Sequence, residues 1–400
     1  MNITFLTTSY SRFKGDDANV PWIEDLAKEL VKKGLSVKVV APHDKQTKDV
    51  EIMDGVEVHR FKYWFTKSQQ RVAYGNGGIP SNLNSLFAKF QFPFFIFFFA
   101  LKAIRVVGPK DIIHAHWSLS GLIGIFVKFL RPNKVYLSIR GSGLRLTPRI
   151  LMKFIVDNVD LINVDSNEYS DKIKLLGTST ETTEVRLKFI NLDRYNRNLD
   201  GGQISKEFNL EEKIVITLVS YFLPTKRIDV LIKAIPNIIK HSQKEVVFLF
   251  VGDGPLYNKF KIMVNQMQIS KYVVFTGIRK DINQILSASD IFVTCECIPE
   301  EGSEPTESIC FSNAVLEAMA MGVPCVIPNI PYTSDYWKDG FDSLFYEPTY
   351  SSLGKAILKL INNDNMRSNI SENGISFFER HKFTKERVLE GVIENYKALT

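Results

Sequence analysis

Short apolar runs alternate with longer amphipathic segments along the chain, which indicates strands and helices in turn and favours parallel sheets with helices on both faces. Strands are predicted at 3–7, 36–41, 56–61, 111–114, 134–139, 161–164 and 185–190, and then at 214–219, 246–251, 273–275, 291–295 and 324–327. Helices are predicted at 21–33, 83–106, 119–130, 149–157 and 168–176, and then at 227–240, 255–267, 280–287, 312–321 and 385–399.

A polar stretch at 194–203 separates the two series and is interpreted as a hinge linker. The pattern therefore predicts two Rossmann-like halves. Because open parallel sheets bind ligands outside the carboxyl ends of their strands, a cleft between the halves would collect both reactants.

The apolar run Phe90–Leu101 is shorter than the roughly 20 residues that span a bilayer, so it is interpreted as a buried helix of the first domain. The alternative is docking on an anionic membrane, because Lys89, Lys102 and Arg105 flank the run.

Composition places the chain of 400 residues among ordinary globular proteins, with 45% hydrophobic and 24% charged residues. Residues 1–200 carry 29 basic and 20 acidic side chains, a net +9, whereas residues 201–400 carry 21 and 24, a net −3. A basic first half suits an acidic acceptor or an anionic membrane. Nucleic acid is not expected as a partner, because the chain has no zinc finger or RNA-binding signature.

The four cysteines, Cys295, Cys297, Cys310 and Cys325, have neither zinc nor redox-motif spacing and are predicted to be reduced thiols. The first residues run directly into a strand pattern without the features of a signal peptide, so a cytoplasmic protein is expected.

One carboxylate, Glu317, lies in the otherwise apolar segment from Ser312 to Pro324. Ser312 or Asn313 can cap the start of this helix, and a buried helix is predicted. Glu317 would reach toward the free N–H groups of the first turn, a corner that suits an anionic ligand bearing hydroxyls. Pairing of Glu317 with an internal basic group or amide is the alternative.

Lys226 and Arg227 precede a helix whose apolar positions form one stripe. Two cations at a helix N-terminus oppose its dipole, and a bound diphosphate would reverse that cost. The alternative is a basic pair on a solvated loop.

The order Val251–Pro255, Phe275–Gly277, Ser289–Val293 and then the Glu317 helix resembles the donor-binding domain of GT-B glycosyltransferases, specifically glycosyltransferase family 4. These are retaining enzymes that use nucleoside-diphosphate sugars. The resemblance implies two Rossmann-like α/β domains with parallel sheets that face a central cleft. It also implies that the last helix crosses back onto the first domain. The domains would be 1–195, completed by 380–400, for the acceptor and 196–379 for the donor.

The resemblance implies a set of donor-binding residues: Gly252, Gly254, Pro255, Ile278, Arg279, Ser312, Asn313 and Ala314. Lys226, Arg227 and Glu317 would act at the reacting sugar diphosphate, whereas Asp290 would anchor structure. Ser220 and Tyr221 replace the Gly-Arg pair of the family, and Arg227 is the candidate for compensating this change.

Two further catalytic candidates depart from the pattern of the family. Ile309 stands where the first glutamate of a Glu-x7-Glu motif belongs, so Glu307 is the candidate for that place. Arg140 replaces the histidine of a His-Gly-Ser-Asp motif and could hold phosphate or an acidic acceptor, or form a structural salt bridge.

On the acceptor side, the resemblance implies a loop with Gly15, Asp16 and Asp17 and a second loop with Tyr74 and Gly77. His116 ends a strand and is also a candidate, although a helix-facing or core position is the favoured interpretation of both His114 and His116.

The prediction is a retaining glycosyltransferase that moves a sugar from a nucleoside-diphosphate sugar to a hydroxyl of a glycan or lipid-linked acceptor, in cell-surface polysaccharide or glycolipid synthesis. No cofactor or metal is expected, because cations and helix amides would stabilise the leaving group. Peripheral contact with the inner face of the membrane is included, and the oligomeric state is open. A catalytically impaired nucleotide-binding subunit is the alternative, and an epimerase of the same fold ranks lower.

Overall fold

The computed structural model describes residues 1–13, 16, 21–74, 78–139, 142–185, 187, 189–296, 312–381 and 383–400. Internal contacts divide the chain into two compact units: unit 1 comprises residues 1–189 and 386–400, and unit 2 comprises residues 190–385. The predicted assignment of acceptor binding to the first domain and donor binding to the second stays a prediction.

The strands in chain order are β1 Asn2–Leu6, β2 Ser36–Pro42, β3 Val50–Met53, β4 Val56–Phe61, β5 Ile112–His116, β6 Val135–Ser138, β7 Leu161–Val164, β8 Thr182–Glu184, β9 Ile214–Val219, β10 Val246–Val251, β11 Val273–Gly277, β12 Ile291–Val293, β13 Cys325–Pro328 and β14 Leu344–Tyr346. The helices are α1 Pro21–Lys32, α2 Gly78–Asn82, α3 Leu86–Val106, α4 Trp117–Leu130, α5 Ser142–Leu146, α6 Arg149–Asn158, α7 Asn167–Lys174, α8 Gly202–Phe208, α9 Ile228–His241, α10 Tyr257–Gln266, α11 Ile282–Ser287, α12 Asn313–Ala320, α13 Tyr350–Ile361, α14 Asp364–Arg380 and α15 Lys385–Lys397.

Each unit is built on one sheet, and helices bury apolar side chains on both of its faces. In the described part of unit 1 the strand order is β3-β4-β2-β1-β5-β6-β7-β8, and in that of unit 2 it is β11-β10-β9-β12-β13-β14. Neighbouring strands are parallel, apart from the β3–β4 hairpin. The predicted α/β class with two parallel sheets is therefore confirmed.

The strand predicted at 185–190 is wrong for its described residues, 185, 187, 189 and 190, because the last described strand of the unit 1 sheet lies at 182–184, while Arg186 and Lys188 lie outside the described residues. The backbone N–H of Val185 donates to the Asn163 side chain at 2.8 Å, and Leu187 is buried in the core. The apolar residues in this stretch therefore reflect packing of a connecting segment and not strand pairing.

Three short strands were missed, β3, β8 and β14. Strand β3 pairs with β4 through a tight turn at Asp54-Gly55, where both residues have positive φ, 50° and 86°. An Asp-Gly pair between two apolar runs is a strong hairpin signal, so the sequence did contain the information for β3.

The prediction that the apolar run forms a buried helix is also wrong. Helix α3 has 21 residues, and its length and composition would allow it to cross a membrane, with 28% of its apolar stretch buried. Ala88, Gln91, Phe95, Phe99 and Ala103 are buried, and Phe92, Ile96 and Ala100 beside them are half-buried against the core. The core covers only this face of the helix, so Phe90, Phe94, Phe97 and Phe98 stay exposed.

The last helix packs on unit 1, as predicted. Helix α15 buries Leu389, Val392 and Tyr396 against the first sheet. The Tyr396 hydroxyl and His114 Nδ1 are hydrogen-bonded at 2.7 Å, and His114 Nε2 and Ser138 Oγ at 2.8 Å. These buried bonds fix the register of α15 on the sheet, because a shifted helix would leave polar groups buried and unpaired.

Tyr396→Phe should lower the free energy of unfolding by about 1–3 kcal/mol, because it removes a buried hydrogen bond while keeping the ring. Urea denaturation followed by tryptophan fluorescence measures the change. Arg387→Ala on the exposed side of α15 is the matched control and should stay within about 0.5 kcal/mol of the wild type. Equal stability of the two variants would contradict this account of α15.

Candidate functional site

The strand order of the unit 2 sheet reverses between β9 and β12, which are neighbours although they are far apart in sequence. The chain leaves β9 toward β10 on one side, and β12 leads to β13 on the other. At such a reversal the chain leaves two neighbouring strands in opposite directions, and the crevice at their carboxyl ends, here the β9/β12 crevice, is the usual ligand position in such sheets.

Lys226 and Glu296 bridge this crevice. Lys226 ends a short 3₁₀ turn after β9, and Glu296 follows β12. Their Nζ and Oε2 atoms are 2.8 Å apart, and the two side chains are 30% and 15% exposed. The structure thus places the predicted phosphate-binding cation at the switch point and gives it a carboxylate partner. A partly exposed ion pair of this kind can exchange its carboxylate for another anion at little cost.

Arg227 is the N-cap residue of α9 and has a left-handed backbone, φ 45°. Its Nε lies 3.3 Å from Asp229 Oδ1, and Lys233 pairs with the other oxygen of the same carboxylate at 3.2 Å. Asp229 in the first turn compensates the unfavourable interaction between the helix dipole and the cation. The unfavourable electrostatic energy predicted for a cation at this helix N-terminus is therefore reduced before any ligand binds.

Gly252 and Gly254 allow the loops after β9 and β10 to touch. A Cβ on Gly252 would lie 1.9 Å from the Ser220 carbonyl oxygen, and one on Gly254 would lie 2.7 Å from the Phe222 backbone nitrogen. Both glycines have positive φ, 133° and 156°. Only glycine fits here. Pro255 precedes α10, which begins at Tyr257, so its prediction as the first helical residue is wrong.

Helix α12 starts as predicted, because the Ser312 side chain accepts a hydrogen bond from the backbone N–H of Val315. Asn313 is exposed and Ala314 is half-buried at this end of the helix. Glu317 is half-buried, and the Tyr195 hydroxyl donates to its carboxylate. Burial raises the pKa of Glu317, whereas the Tyr195 hydrogen bond and the positive charge of Arg194 lower it in part.

Tyr195 is the residue that the sequence interpretation missed. It lies in the stretch 194–203 that was interpreted as a hinge linker, yet its ring is buried in the core of unit 2 together with Val315 and Leu316. Burial and the nearby Glu317 carboxylate raise the pKa of Tyr195, so its hydroxyl keeps its proton and donates. In the sequence, a single tyrosine among polar residues only weakly indicates a buried side chain.

Arg279 is tied to the protein itself. It makes a bidentate pair with Glu207 at 2.6 and 3.0 Å and contacts Asp281 at 2.7 Å. Ile278 beside it is 74% exposed. Asp290 accepts the backbone N–H of Val215 at 2.8 Å, which confirms its predicted anchoring role.

The acceptor-side candidates that the structure describes are held by internal bonds in unit 1. Asp16 is buried and accepts a bidentate pair from Arg12 at 2.8 and 2.9 Å. The Tyr74 hydroxyl accepts from Arg60 and donates to backbone carbonyls. His116 is buried between the rings of Phe5 and Trp22. Their roles toward an acceptor stay predictions.

Several predicted residues lie outside the described residues: Gly15, Asp17, Gly77, Arg140, Glu307, Ile309, Cys297 and Cys310. Cys295 and Cys325 are buried, and their prediction as reduced thiols stays a prediction.

Residues 202–377 match the sequence model of the family described as Glycosyl transferases group 1. This range contains Lys226, Glu296 and Glu317, so the crevice lies within the part of the chain that matches this family model.

Curated relatives are glycosyltransferases with different acceptors. The chain is 23% identical to N-acetyl-alpha-D-glucosaminyl L-malate synthase of Bacillus anthracis, over 66% of this chain and 73% of the relative. It is 27% identical to UDP-Gal:alpha-D-GlcNAc-diphosphoundecaprenol alpha-1,3-galactosyltransferase of Escherichia coli, over 59% and 62%. It is 23% identical to alpha-monoglucosyldiacylglycerol synthase of Streptococcus pneumoniae, over 93% and 82%.

Solved structures identify the fold as GT-B. Sucrose-phosphate synthase of Thermosynechococcus elongatus is 17% identical, with a TM-score of 0.78 over 100% of this chain and 98% of the other. HepE of Anabaena in complex with UDP is 16% identical, with a TM-score of 0.73 over all of both chains. At these identities the likeness shows the fold alone.

The raised pKa of Glu317 makes a prediction about stability. A carboxyl whose folded-state pKa lies above its ordinary value contributes stability that is fully present below the ordinary value and is lost as pH rises through the raised one. The melting temperature of Glu317→Gln relative to the wild type should therefore rise from pH 4.5 toward neutral pH. Glu372→Gln on the exposed face of α14 is the control, and parallel pH profiles of all three proteins would contradict the prediction.

Proposed function

We propose that this protein is a retaining glycosyltransferase of family 4, which moves a sugar from a nucleoside-diphosphate sugar to a hydroxyl of a glycan or lipid-linked acceptor. The observation that carries the proposal is the Lys226–Glu296 pair across the β9/β12 crevice, inside a glycosyltransferase group 1 domain and beside the Gly252–Gly254 loop after the neighbouring strand β10. A cation in that place suits the diphosphate of the donor.

In the proposed reaction the bond between the anomeric carbon and the diphosphate oxygen breaks, and the bond to the acceptor oxygen forms on the same face of the sugar. The acceptor proton leaves with the nucleoside diphosphate. Negative charge develops on the departing diphosphate, so Lys226, Arg227 and the N-terminus of α12 would stabilise the transition state. Glu317 would accept hydrogen bonds from ribose hydroxyls, with Tyr195 holding its carboxylate in place.

Glu296 has a defined part in this scheme. Without a donor it neutralises Lys226, and the incoming diphosphate takes over the ammonium group. The exchange costs little because both states keep the cation paired.

The names of the relatives support a role in polysaccharide or glycolipid synthesis. Two of them act on lipid acceptors, a diphosphoundecaprenol and a diacylglycerol, whereas another makes a malate glycoside. We propose a lipid-linked or glycan acceptor at the inner face of the cell membrane for this chain.

The alternative is a nucleotide-binding subunit without turnover. It is favoured by Ile309, which stands where the family carries a glutamate, and by the internal pairs that hold Arg227 and Arg279.

Lys226→Ala should reduce release of nucleoside diphosphate from the donor by roughly a hundredfold to a thousandfold in kcat, because it removes charge stabilisation of the leaving group. A thermal-shift screen of nucleoside diphosphates first selects the base, and a coupled assay then measures release from the corresponding sugar. Lys233→Ala, an exposed lysine on the following helix, is the matched control and should keep wild-type activity.

The double variant K226A/E296Q separates loss of the cation from repulsion by the carboxylate left behind. The same large loss in both variants supports the role of Lys226. Binding of the donor without any release by the wild type would favour the nucleotide-binding subunit instead.

The proposal needs no metal ion, because lysine, arginine and helix amides neutralise the diphosphate. Prolonged treatment with EDTA, followed by gel filtration, should leave the rate of donor hydrolysis unchanged. Loss of the rate with recovery on adding Mg²⁺ or Mn²⁺ would refute this part of the proposal.

A further inference from the structure

Unit 1 contains a cavity of about 710 Å³ at the carboxyl edge of its sheet. The loop after β1, the start of α4 directly after β5, and helix α5 with Thr147 contribute to its wall, and β1 and β5 flank the point where the strand order reverses. Its volume lies within the range of about 300–1,000 Å³ that ligand sites occupy.

The wall of the cavity has two chemical characters. The segments that follow the strands supply the hydroxyl groups of Thr8, Ser9, Ser118 and Thr147, and Ser118 and Thr147 are hydrogen-bonded to each other at 2.7 Å. Helices α2, α3, α4 and α6 supply aliphatic and phenyl side chains, those of Ile79, Phe92, Ile96, Leu119, Leu122 and Ile155. Sugar hydroxyls against these helices would lack partners, whereas a hydrocarbon chain would gain from burial.

Trp117 lies where the two parts of the wall meet. It is the first residue of α4 and has φ 69°, a left-handed backbone that is strained for a bulky side chain. Strain of this kind persists where surrounding structure enforces it, and it is concentrated at ligand sites. The strained backbone turns the chain from β5 into α4 along the wall of the cavity.

Helix α3 borders the cavity through Phe92 and Ile96 and turns a second apolar face outward. On that face Phe90 is 62% exposed and Phe97 is 61% exposed, and Phe94 lies between them. Helix α3 packs on α4, and α4 packs on α6. Exposed apolar side chains also occur on these neighbours, Phe129 on α4 and Ile150 on α6.

Helices α3 and α4 carry positive charges only, because neither helix contains an aspartate or glutamate. Lys128 of α4 is paired with Asp160 at 2.8 Å, so the positive rim of the outward face consists of Lys89, Lys102 and Arg105 of α3. An apolar face rimmed by cations complements an anionic lipid surface.

We propose that this cavity binds the hydrocarbon chain of a membrane lipid, which enters from an anionic bilayer contacted by the outward face of α3. The inference rests on the proposed function, because the bound lipid would be the acceptor, with its head group at the hydroxyl end of the cavity. The apolar helices hold the hydrocarbon chain of the lipid. The head group, which bears the reacting hydroxyl, lies where the strand order of the sheet reverses.

Filling the cavity tests the inference without an activity assay. The probe is cis-parinaric acid, a fluorescent fatty acid that is titrated against the whole chain. Ile96→Trp should weaken binding by about tenfold, because an indole would displace about two methylene groups of the probe. Leu122→Trp, on the opposite helix, should do the same and serves if the first variant fails to fold. Ile262→Trp on α10 of unit 2 is the matched control and should bind as the wild type does.

The outward face of α3 is tested separately. The double variant F90S/F97S should lose co-sedimentation with vesicles of phosphatidylglycerol and phosphatidylcholine but keep parinaric acid binding. Ile52→Ser, an exposed residue on β3, should lose neither. Vesicles of phosphatidylcholine alone should bind the wild type less.

The inference is overturned if the folded wild type binds no parinaric acid, or if both tryptophan variants bind it as tightly as the wild type. It is also overturned if F90S/F97S sediments with anionic vesicles as the wild type does. Donor hydrolysis that depends on Lys226 distinguishes the two proposals. If donor hydrolysis persists while parinaric acid does not bind, only the lipid site is wrong. If parinaric acid binds while no donor is hydrolysed, the proposed function is wrong.

Discussion

The parallel order of the strands is the constraint on which the rest of this structure depends. Parallel strands joined by helices all release the chain at their carboxyl edge, and the loops diverge where the strand order reverses. In unit 2 that point lies between β9 and β12 and brings Lys226 beside Glu296. In unit 1 it lies between β1 and β5 and opens the apolar cavity. The same topology therefore produces a charged crevice in one unit and an apolar cavity in the other.

Charge pairing sets the character of the crevice in unit 2. Lys226 has Glu296, Arg227 has Asp229, and Glu317 has the hydroxyl of Tyr195. The folded chain thus neutralises the two cations before any ligand arrives, whereas the Tyr195 hydroxyl offsets only part of the cost of burying Glu317. Partly exposed pairs are worth little individually, so an anionic ligand can replace one carboxylate without destabilising the fold.

Unit 1 departs from the usual distribution of apolar residues, because part of its apolar surface lies outside. The core takes one stripe of α3, the cavity takes another, and phenylalanines remain on the third. A helix with apolar residues around its whole circumference indicates contact with more than one apolar partner. The sheet is one such partner, and a lipid surface accounts for the remaining face.

The sequence by itself determined the α/β class, most strands and helices, the Ser312 cap and the anchoring role of Asp290, because these depend on periodicity and on residues close together in the chain. The Asp54-Gly55 hairpin was equally local and could have been predicted. Only the tertiary structure decided that strand β8 ends at Glu184, that α3 is largely exposed, and that Tyr195 is buried beside Glu317. Those outcomes depend on which surfaces meet, because an apolar residue is buried only where another element covers it. Likewise, the Lys226–Glu296 ion pair forms only because β9 and β12, which are distant in sequence, become neighbours in the sheet.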